Sequence, residues 1–310
     1  MSKSNSAHAK PGIALVAGDA HPELGRDIAR LIDARLIPTS VSAFADGETR
    51  LRIEADVQDS DLYIVQPTSP PTNERLMTLA LIADAACAAG AARVTAVVPY
   101  FGYARQDVRK SAGEPRSAQL AARVLRTAGI DRLVALELHS AALESAFEMP
   151  VIHLQADELM LPVVRGWGIR DLAIVSPDAG GMKRAQRYAS ALEASLAVVA
   201  KGRPQPDVAV SLQVLGEVRG RTCLIVDDMA STGRTIASAA KALLDAGARE
   251  VHALFIHTVM AASALDDICA GSVRRIITTD SVRSSPDPRL QVISIAPLLA
   301  RSLIQLTGKA

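Results

Sequence analysis

A tandem internal repeat limits what this 310-residue chain can fold into. The segment AGAARVTAVV begins at Ala89 and AGAREVHALF at Ala246, and each has a glycine where a helix would end, followed by an apolar strand. YIVQPTS at Tyr63 and LIVDDMA at Leu224 match as strand ends in the same order. The repeat predicts two copies of one α/β unit of about 150 residues each. Chance likeness between segments rich in alanine and valine is the alternative.

Short β-branched runs alternate with helical patterns, which predicts mainly parallel sheets flanked by helices. The predicted strands are Ile13–Ala17, Leu62–Gln66, Val94–Pro99, Leu133–Glu137, Ala173–Ser176, Cys223–Asp227, His252–His257 and Arg275–Thr279. The predicted helices are Glu23–Asp33, Asn73–Ala89, Ala118–Ala128, Met182–Ser195, Arg234–Ala246 and Pro297–Leu306. We expect a flexible tail over residues 1–10, a first domain over 11–152 and a second over 153–310, joined near Met149–Asp157.

Charge and composition exclude several classes of protein. Lys and Arg total 34 against 33 Asp and Glu, so no overall field attracts nucleic acid or membrane, and local basic clusters must carry any anion binding. Three widely spaced cysteines give no metal or disulfide spacing, which favours a cytoplasmic location. The apolar stretch Leu76–Val98 is interrupted by Asp84 and Arg93, so it predicts a helix and a strand rather than a membrane span.

The stretch VDDMASTGRT predicts a phosphate site. Asp227 and Asp228 come at the end of a predicted strand, where α/β sheets place their ligands. Hydroxyl and N–H groups at the start of the next helix suit a phosphate, and they come from Ser231, Thr232, Gly233 and Thr235. Two carboxylates beside a phosphate suit ribose hydroxyls or a magnesium ion. An N-capped helix after an acidic turn is an equally good local interpretation.

Two further stretches suit a nucleotide. PYFGYARQD holds Arg105, a planar fork for phosphate or a stacking face for a base, and Gln106, which can read an adenine edge. In FADGE, Phe44, Asp46 and Glu48 would face one way on an extended segment and could stack on adenine and bind its amine. A β-hairpin turn at Asp46-Gly47 is an equally good local interpretation of FADGE.

Three more stretches carry candidate groups. ELHS places His139 just past a strand end, although a lone histidine is more often structural. SPDAGG offers Asp178 to a magnesium ion and two glycines, Gly180 and Gly181, that would let the backbone approach a pyrophosphate. KGRPQPD carries Lys201 and Arg203 in a predicted loop, for which a basic surface turn is the alternative.

In this order, FADGE, PTNERLM, PYFGYARQD, ELHS, SPDAGG, KGRP and VDDMASTGRT resemble the ribose-phosphate pyrophosphokinase family over nearly all of the chain. The resemblance implies an α/β protein of two tandem type I phosphoribosyltransferase-like domains, each a mainly parallel sheet flanked by helices, with a last helix able to pack back on the first domain. It implies diphosphoryl transfer from ATP to the anomeric hydroxyl of ribose 5-phosphate, with Mg²⁺, giving phosphoribosyl pyrophosphate and AMP.

The resemblance also implies a role for each candidate residue. It implies catalytic roles for Lys201, Arg203 and His139, and magnesium binding by His139 and Asp178. ATP would be bound by Phe44, Asp46, Glu48, Arg105 and Gln106, with the FADGE hairpin reaching the ATP of a neighbouring subunit in a homo-oligomer built from dimers, such as a hexamer. Ribose 5-phosphate would be bound by Asp227, Asp228, Ser231, Thr232, Gly233, Arg234 and Thr235.

Three positions depart from the family pattern. Ser231 stands where the family usually has Asp, Arg234 where it has Gly, and Glu137 where it has Asp. Two other classes therefore remain as alternatives: a phosphoribosyltransferase, which would use the product, and a non-catalytic nucleotide-binding regulatory homologue. Release of AMP with and without ribose 5-phosphate distinguishes the three.

Overall fold

The computed structural model describes residues 12–201, 212–260, 262–270 and 272–307. By its internal contacts the described chain divides into two compact units, residues 12–153 with 299–307 (unit 1) and residues 154–298 (unit 2). Within the described chain, none of the helices has the length and apolar character needed to cross a membrane.

Unit 1 is built on a six-stranded sheet with the order β2-β1-β5-β6-β7-β8. Its helices are α1 (Pro22–Leu31), α2 (Thr72–Ala88) and α3 (Ser117–Thr127), and a 3-10 helix spans Ala141–Ala146. The sheet strands are β1 (Ile13–Ala17), β2 (Arg35–Leu36), β5 (Asp61–Val65), β6 (Arg93–Val98), β7 (Arg132–Leu136) and β8 (Val151–Leu154). Strands β3 (Thr39–Ala43) and β4 (Thr49–Ile53) form a separate antiparallel hairpin.

Unit 2 is built on a seven-stranded sheet with the order β11-β10-β9-β12-β13-β14-β15. Its helices are α4 (Asp157–Arg165), α5 (Met182–Leu192), α6 (Arg234–Asp245) and α7 (Ala262–Ala270); α8 (Ala296–Thr307) begins in unit 2 and ends among the residues grouped with unit 1. The strands are β9 (Leu172–Ser176), β10 (Ser195–Lys201), β11 (Leu212–Leu215), β12 (Thr222–Ala230), β13 (Glu250–Thr258), β14 (Val273–Thr279) and β15 (Leu290–Ile293). Only β11 runs antiparallel to its neighbour among the paired strands of this sheet that are described.

The two sheets share one topology, which confirms the predicted fold class and the repeat. In unit 1, β1 leads through α1 to β2 on one side of the sheet, and β5 leads through α2 to β6 on the other side. In unit 2, β9 leads through α5 to β10 and β12 leads through α6 to β13 in the same way. The glycines that were predicted to end helices do so: Gly90 follows α2 with φ +81° and Gly247 follows α6 with φ +93°. Glycine fits there because the left-handed conformation is strained for other residues.

All the predicted helices and strands exist; the strand Ile13–Ala17 has the predicted ends, and the others differ at one or both ends. The helix predicted over Met182–Ser195 ends at Leu192, because Glu193 takes the left-handed conformation (φ 51°) and the chain then enters β10. The strand predicted over Cys223–Asp227 continues to Ala230. Strand β10, helices α4 and α7, and the short outer strands were not predicted.

Aliphatic side chains and alanine fill most of both cores, as a chain with only 3% aromatic residues requires. In unit 1, residues such as Leu79, Ile82 and Leu125 are fully buried between helices α2 and α3 and the sheet. In unit 2, Ile236 and Leu243 of α6 are buried in the corresponding core. These cores fix α2 after β5 and α6 after β12, and so position the loop between each of these strands and its helix.

Candidate active site

The carboxyl ends of β9 and β12 form the topological switch point of unit 2. From β9 the chain crosses through α5 to β10 on one side, and from β12 it crosses through α6 to β13 on the other. Open α/β sheets bind ligands in the crevice at such a point. Pairing between β9 and β12 ends at Val175 and Ile225, whereas β12 continues beside β13 to Ala230. The end of β12 is therefore open on the side of the SPDAGG loop.

Asp227 and Asp228 lie within this projecting part of β12. Asp228 is 4% exposed, and the Asp227 side chain is 18% exposed. The Asp228 backbone N–H donates to Asp227 Oδ1 over 2.9 Å. Burial, followed by the charge of Asp228, raises the pKa of Asp227 to about 8, while Arg184 opposes that rise. The pair therefore retains a proton at neutral pH, and its carboxyl oxygens remain as acceptors for ligand hydroxyls.

Arg184 on α5 supplies the counter-charge to this pair. Its Nη1 lies 3.7 Å from Asp227 Oδ1 and 3.8 Å from Asp228 Oδ1, and its side chain is 10% exposed. We did not predict a role for Arg184, although the sequence contains a signal. It lies on the helical face of Ala185 and Tyr188, so its charge is directed at the core and needs a partner.

The start of α6 follows β12 after a short turn and suits an anion. Gly233 is the N-cap residue with φ +71°, and no described side chain caps the helix there. The first turn contains no acidic residue, so its N–H groups are available to a phosphate. Thr232, Arg234 and Thr235 are exposed around this turn, and Ser231 is half-buried. In the alternative of an N-capped helix after an acidic turn, the cap is Gly233, which supplies no side-chain hydrogen bond.

Gly233 is also a point of close packing. A Cβ placed there would lie 2.6 Å from the carbonyl oxygen of Ala264 and 3.0 Å from Cγ1 of Ile268, both on α7. Helix α7 thus packs directly against the turn that begins α6. Only glycine meets both the backbone conformation and the available space.

The SPDAGG loop between β9 and α5 is held by its own hydrogen bonds. Asp178 Oδ1 accepts from the backbone N–H groups of Gly180 (2.9 Å) and Gly181 (3.1 Å), and Ser176 Oγ donates to the Asp178 carbonyl over 2.6 Å. The two glycine N–H groups, which we expected to face a pyrophosphate, are bound by Asp178 in this structure. The exposed Asp178 side chain retains Oδ2, which receives no hydrogen bond from the described residues.

In unit 1 the corresponding crevice contains the chain's own side chains. Val16 pairs with Ile64 as Val175 pairs with Ile225, so Asp19 and Gln66 correspond in register to Asp178 and Asp227. Gln66 is fully buried; its Nε2 donates to Asp19 Oδ1 over 2.8 Å and its Oε1 accepts from Ala20 N over 3.1 Å. Arg75 of α2 forms a salt bridge with Asp19. The second copy of the crevice is therefore closed by an internal polar network.

The PYFGYARQD loop follows β6 in unit 1, as predicted. Phe101 packs edge-on against Phe147 with 4.9 Å between ring centroids, which anchors the loop. Arg105 is exposed, while the half-buried Gln106 accepts a hydrogen bond from the Ser117 hydroxyl through Oε1. Its amide nitrogen is the group left to read a base.

His139 lies on the neighbouring segment, after β7, and is exposed. Ser140 Oγ donates to Asp107 Oδ2 over 2.6 Å, so the segment with His139 is bonded to the loop with Arg105 and Gln106. Glu137 is 4% exposed and has φ 41°, a left-handed conformation that is uncommon for residues other than glycine. Such strain is concentrated at functional sites, where the surrounding structure maintains it.

The FADGE stretch is a turn, not an extended segment. It joins β3 to β4, with Phe44 N donating to Glu48 O over 2.8 Å and Glu48 N to Asp46 Oδ1 over 3.1 Å. The hairpin interpretation is confirmed, and the extended one is wrong because the backbone folds on itself at Gly47 (φ +94°). Phe44 is 50% exposed at the tip, with the Arg50 guanidinium 5.8 Å from its ring centroid.

Lys201 is the last residue of β10, and its backbone pairs with Leu212 of β11. The predicted loop beyond it, including Arg203, lies in residues 202–211, outside the described residues, as does the side chain of Lys201. The expectation for this loop stays a prediction.

No group of three or more His, Cys, Asp or Glu side chains able to hold a metal ion occurs among the described residues. Magnesium does not require one, because in phosphoryl-transfer sites it takes one or two carboxylates and completes its shell with water and phosphate oxygens. The free Oδ2 of the exposed Asp178 fits that requirement. His139 belongs to unit 1 and Asp178 to unit 2.

Comparisons with known proteins agree with this arrangement. The family model for the N-terminal domain of ribose phosphate pyrophosphokinase matches residues 13–129, and the model for the phosphoribosyl transferase domain matches residues 145–291. The chain is 40% identical over 299 residues to a ribose-phosphate pyrophosphokinase of Maricaulis maris (95% of this chain, 96% of the relative). It is 36% identical over 291 residues to one of Bacillus subtilis (93% of this chain, 92% of the relative).

A solved structure gives the same result. The crystal structure of phosphoribosylpyrophosphate synthetase from Mycobacterium smegmatis is similar to this chain with a TM-score of 0.91 and 34% identity, covering 96% of this chain and 100% of the other.

Proposed function

We propose that this chain, which belongs to the ribose-phosphate pyrophosphokinase family, transfers the diphosphoryl group of ATP to the anomeric hydroxyl of ribose 5-phosphate. The observation that carries the proposal is the pairing, at one switch point, of a buried carboxylate pair with an uncapped helix start. A phosphorylated sugar has the matching groups, hydroxyls at one end and a dianion at the other.

The sugar is assigned to the switch point of unit 2. Asp227 and Asp228 accept hydrogen bonds from the ribose hydroxyls, because carboxyl oxygens are acceptors and the ionised member of the pair is a strong one. The 5-phosphate is bound by the turn at the start of α6, through Ser231, Thr232, Gly233, Arg234 and Thr235. Arg234, where the family usually has Gly, adds a guanidinium beside that phosphate and strengthens its binding.

The nucleotide is assigned to the linked loops of unit 1. Arg105 binds phosphate oxygens or stacks on the base, and the Gln106 amide donates to the adenine edge. Phe44, Asp46 and Glu48 complete the adenine site from the β3–β4 hairpin of a neighbouring subunit. Support for a shared site comes from Phe44, a half-exposed aromatic ring at a hairpin tip in a chain with few aromatic residues.

His139 and Asp178 are assigned to hold Mg²⁺. When bound, the ion neutralises charge on the ATP phosphates and draws electrons from the β-phosphorus. The hydrogen bonds from Gly180 and Gly181 to Oδ1 fix the Asp178 carboxylate and leave Oδ2 without a hydrogen bond from the described residues.

The reaction needs positioning and positive charge more than a strong base. The anomeric oxygen forms a bond to the β-phosphorus, and the bond from that phosphorus to the oxygen shared with the α-phosphorus breaks. The hydroxyl proton passes to solvent, and AMP leaves. Lys201 and Arg203, on the predicted loop, neutralise the charge that develops on the transferring oxygens.

The reaction is assigned to the cytoplasm, on the widely spaced free cysteines Cys87, Cys223 and Cys269. A homo-oligomer built from dimers, such as a hexamer, is proposed because the adenine site draws on two subunits.

The test is AMP release from ATP, followed with and without ribose 5-phosphate. We expect AMP and phosphoribosyl pyrophosphate in equal amounts, and neither without the sugar. Sugar-independent ATP breakdown, or consumption of pyrophosphate and a base without ATP, would overturn the proposal in favour of the alternatives. Lys201→Ala should lower kcat by about a hundredfold or more with a smaller change in KM, as loss of a transition-state contact does.

Lys241→Ala is the matched control for Lys201→Ala. Lys241 is a 76% exposed lysine of α6, paired only with Asp245 among the described residues. Its removal should leave kcat and KM unchanged within about twofold, since an exposed pair contributes at most about 1 kcal/mol.

A further inference from the structure

Arg184 is a buried charge beside the carboxylate pair of unit 2. It lies on the buried face of α5 with Ala185, Tyr188 and Ala189, and the residue is 9% exposed. A guanidinium does not lose its proton in a protein, so it cannot escape the cost of burial by becoming neutral. Its position therefore depends on negative charge close by.

That charge comes from the carboxylate pair of β12. One guanidinium nitrogen, Nη1, lies 3.7 Å from Asp227 Oδ1 and 3.8 Å from Asp228 Oδ1. Two adjacent buried carboxylates repel each other, and the repulsion is strong in a region of low dielectric. A cation placed between them reduces the repulsion and restricts both side chains.

The two partners come from opposite sides of the switch point. Arg184 is on the helix that starts after β9, whereas the carboxylates are on β12. The contact therefore fixes the loop that carries Asp178 relative to the carboxylate pair. Arg187, on the same helix, has a different partner: its Nε and Nη2 donate to the Asp157 carboxylate of α4 over 3.0 and 3.2 Å.

We propose that Arg184 is a positioning residue for the sugar, which favours the charged form of the Asp227–Asp228 pair and orients it towards the ribose hydroxyls without touching the substrate itself. The inference rests on the proposed function, because it takes ribose 5-phosphate as the ligand of this crevice. It adds Arg184, which lies outside the SPDAGG loop and outside the turn before α6, to the residues that determine the affinity for the sugar.

The effect should be specific to the hydroxyl end of the sugar. Hydrogen bonds to charged acceptors are about twice as strong as those to neutral ones. Without Arg184 the pair holds its proton more tightly or turns away, and the hydroxyls lose a charged acceptor. The 5-phosphate, held at the start of α6, and ATP, held by unit 1, should bind as before.

The test measures binding of ribose 5-phosphate and of 2-deoxyribose 5-phosphate to the full chain by calorimetry, for Arg184→Gln, Arg184→Lys and Arg187→Gln. We expect Arg184→Gln to weaken ribose 5-phosphate about tenfold to a hundredfold, the range for hydrogen bonds to charged groups. The deoxy sugar, which lacks one of the hydroxyls, should weaken by only about threefold. Arg184→Lys should recover most of the affinity, and Arg187→Gln should change neither ligand.

Steady-state kinetics give a second readout. In Arg184→Gln the KM for ribose 5-phosphate should rise far more than the KM for ATP. Equal weakening of both sugars, or an equal loss in Arg187→Gln, would show a merely structural role and overturn the proposal. If Arg184→Gln does not fold, Arg184→Lys is measured in its place. A similar rise in the KM for ribose 5-phosphate and in the KM for ATP would then count against positioning.

This test is separate from that of the proposed function. Wild-type chain that binds ribose 5-phosphate but releases no AMP would contradict the activity and leave the role of Arg184 open to the calorimetric test. Wild-type chain that binds no ribose 5-phosphate would overturn both.

Discussion

Replacing Gly233 by alanine should disrupt the phosphate turn for two separable reasons. The first is backbone strain: φ is +71°, and the left-handed conformation costs a residue with a Cβ about 1–2 kcal/mol. The second is crowding, because the Cβ would lie 2.6 Å from the Ala264 carbonyl oxygen, so α7 or the turn must move. Overpacking of this kind costs about 1–3 kcal/mol. The sum predicts a loss of about 2–5 kcal/mol in the free energy of unfolding.

Gly220→Ala isolates the first reason. Gly220 has φ +70°, almost the same as Gly233, but a Cβ there would meet nothing within 4 Å. Its replacement should therefore destabilise by the strain alone, about 1–2 kcal/mol. The difference between the two variants measures the crowding at Gly233.

The assay is urea denaturation followed by the fluorescence of Trp167, the sole tryptophan, which lies in unit 2 with both glycines. Gly233→Ala should lower the midpoint further than Gly220→Ala. It alone should weaken the binding of ribose 5-phosphate, because it moves the N–H groups that are proposed to bind the phosphate. Equal midpoints for the two variants would refute the crowding argument. Unchanged sugar affinity in Gly233→Ala would refute the role of the turn.

Two other predictions concern charge and assembly. Burial and Asp228 raise the pKa of Asp227 to about 8, so the folded state binds this proton more tightly than the unfolded chain, and the associated stability is lost as pH rises towards and through 8. Asp227→Asn should weaken the binding of ribose 5-phosphate by about tenfold or more. The melting temperature of this variant minus that of the wild type should increase between pH 5 and pH 9. A difference that stays constant with pH would contradict the pKa argument. Mixing inactive Phe44→Ala and Lys201→Ala chains, after dissociation and reassembly, should restore about a quarter of wild-type activity, as expected for random dimers with shared sites. No recovery in mixtures shown to form hybrids would refute the shared adenine site.

The fold was largely predictable from the sequence because its signals are local. Strand–helix alternation and the glycines at Gly90 and Gly247 depend on backbone preferences that hold in any context. The missed elements lack such signals. Helix α4 contains Pro162 in its interior. The end of α5 at Leu192 was also missed, because the next residue, Glu193, takes the left-handed conformation without being glycine.

The candidate site was only partly predictable. Asp227, Asp228 and the turn at Gly233 lie close together in the sequence, so one stretch revealed them. The contact from Arg184 depends on how α5 crosses the sheet, which no spacing in the sequence specifies. The FADGE turn was ambiguous because a hairpin and an extended segment accept the same residues, and the pairing of β3 with β4 decides between them.

The crevice of unit 1 that corresponds to the Asp227–Asp228 crevice of unit 2 is closed, so the repeated fold keeps this crevice open in only one of its two copies. Gln66 stands where unit 2 has Asp227, and it occupies the space beside Gly18 so closely that a Cβ there would lie 2.1 Å from Gln66 Oε1. An engineer who wished to open a second pocket would have to replace this glutamine and also release Arg75 from Asp19. Replacing Gln66 alone would leave the backbone N–H of the buried Ala20 without its acceptor, so a change at this one residue would not reopen the crevice without cost.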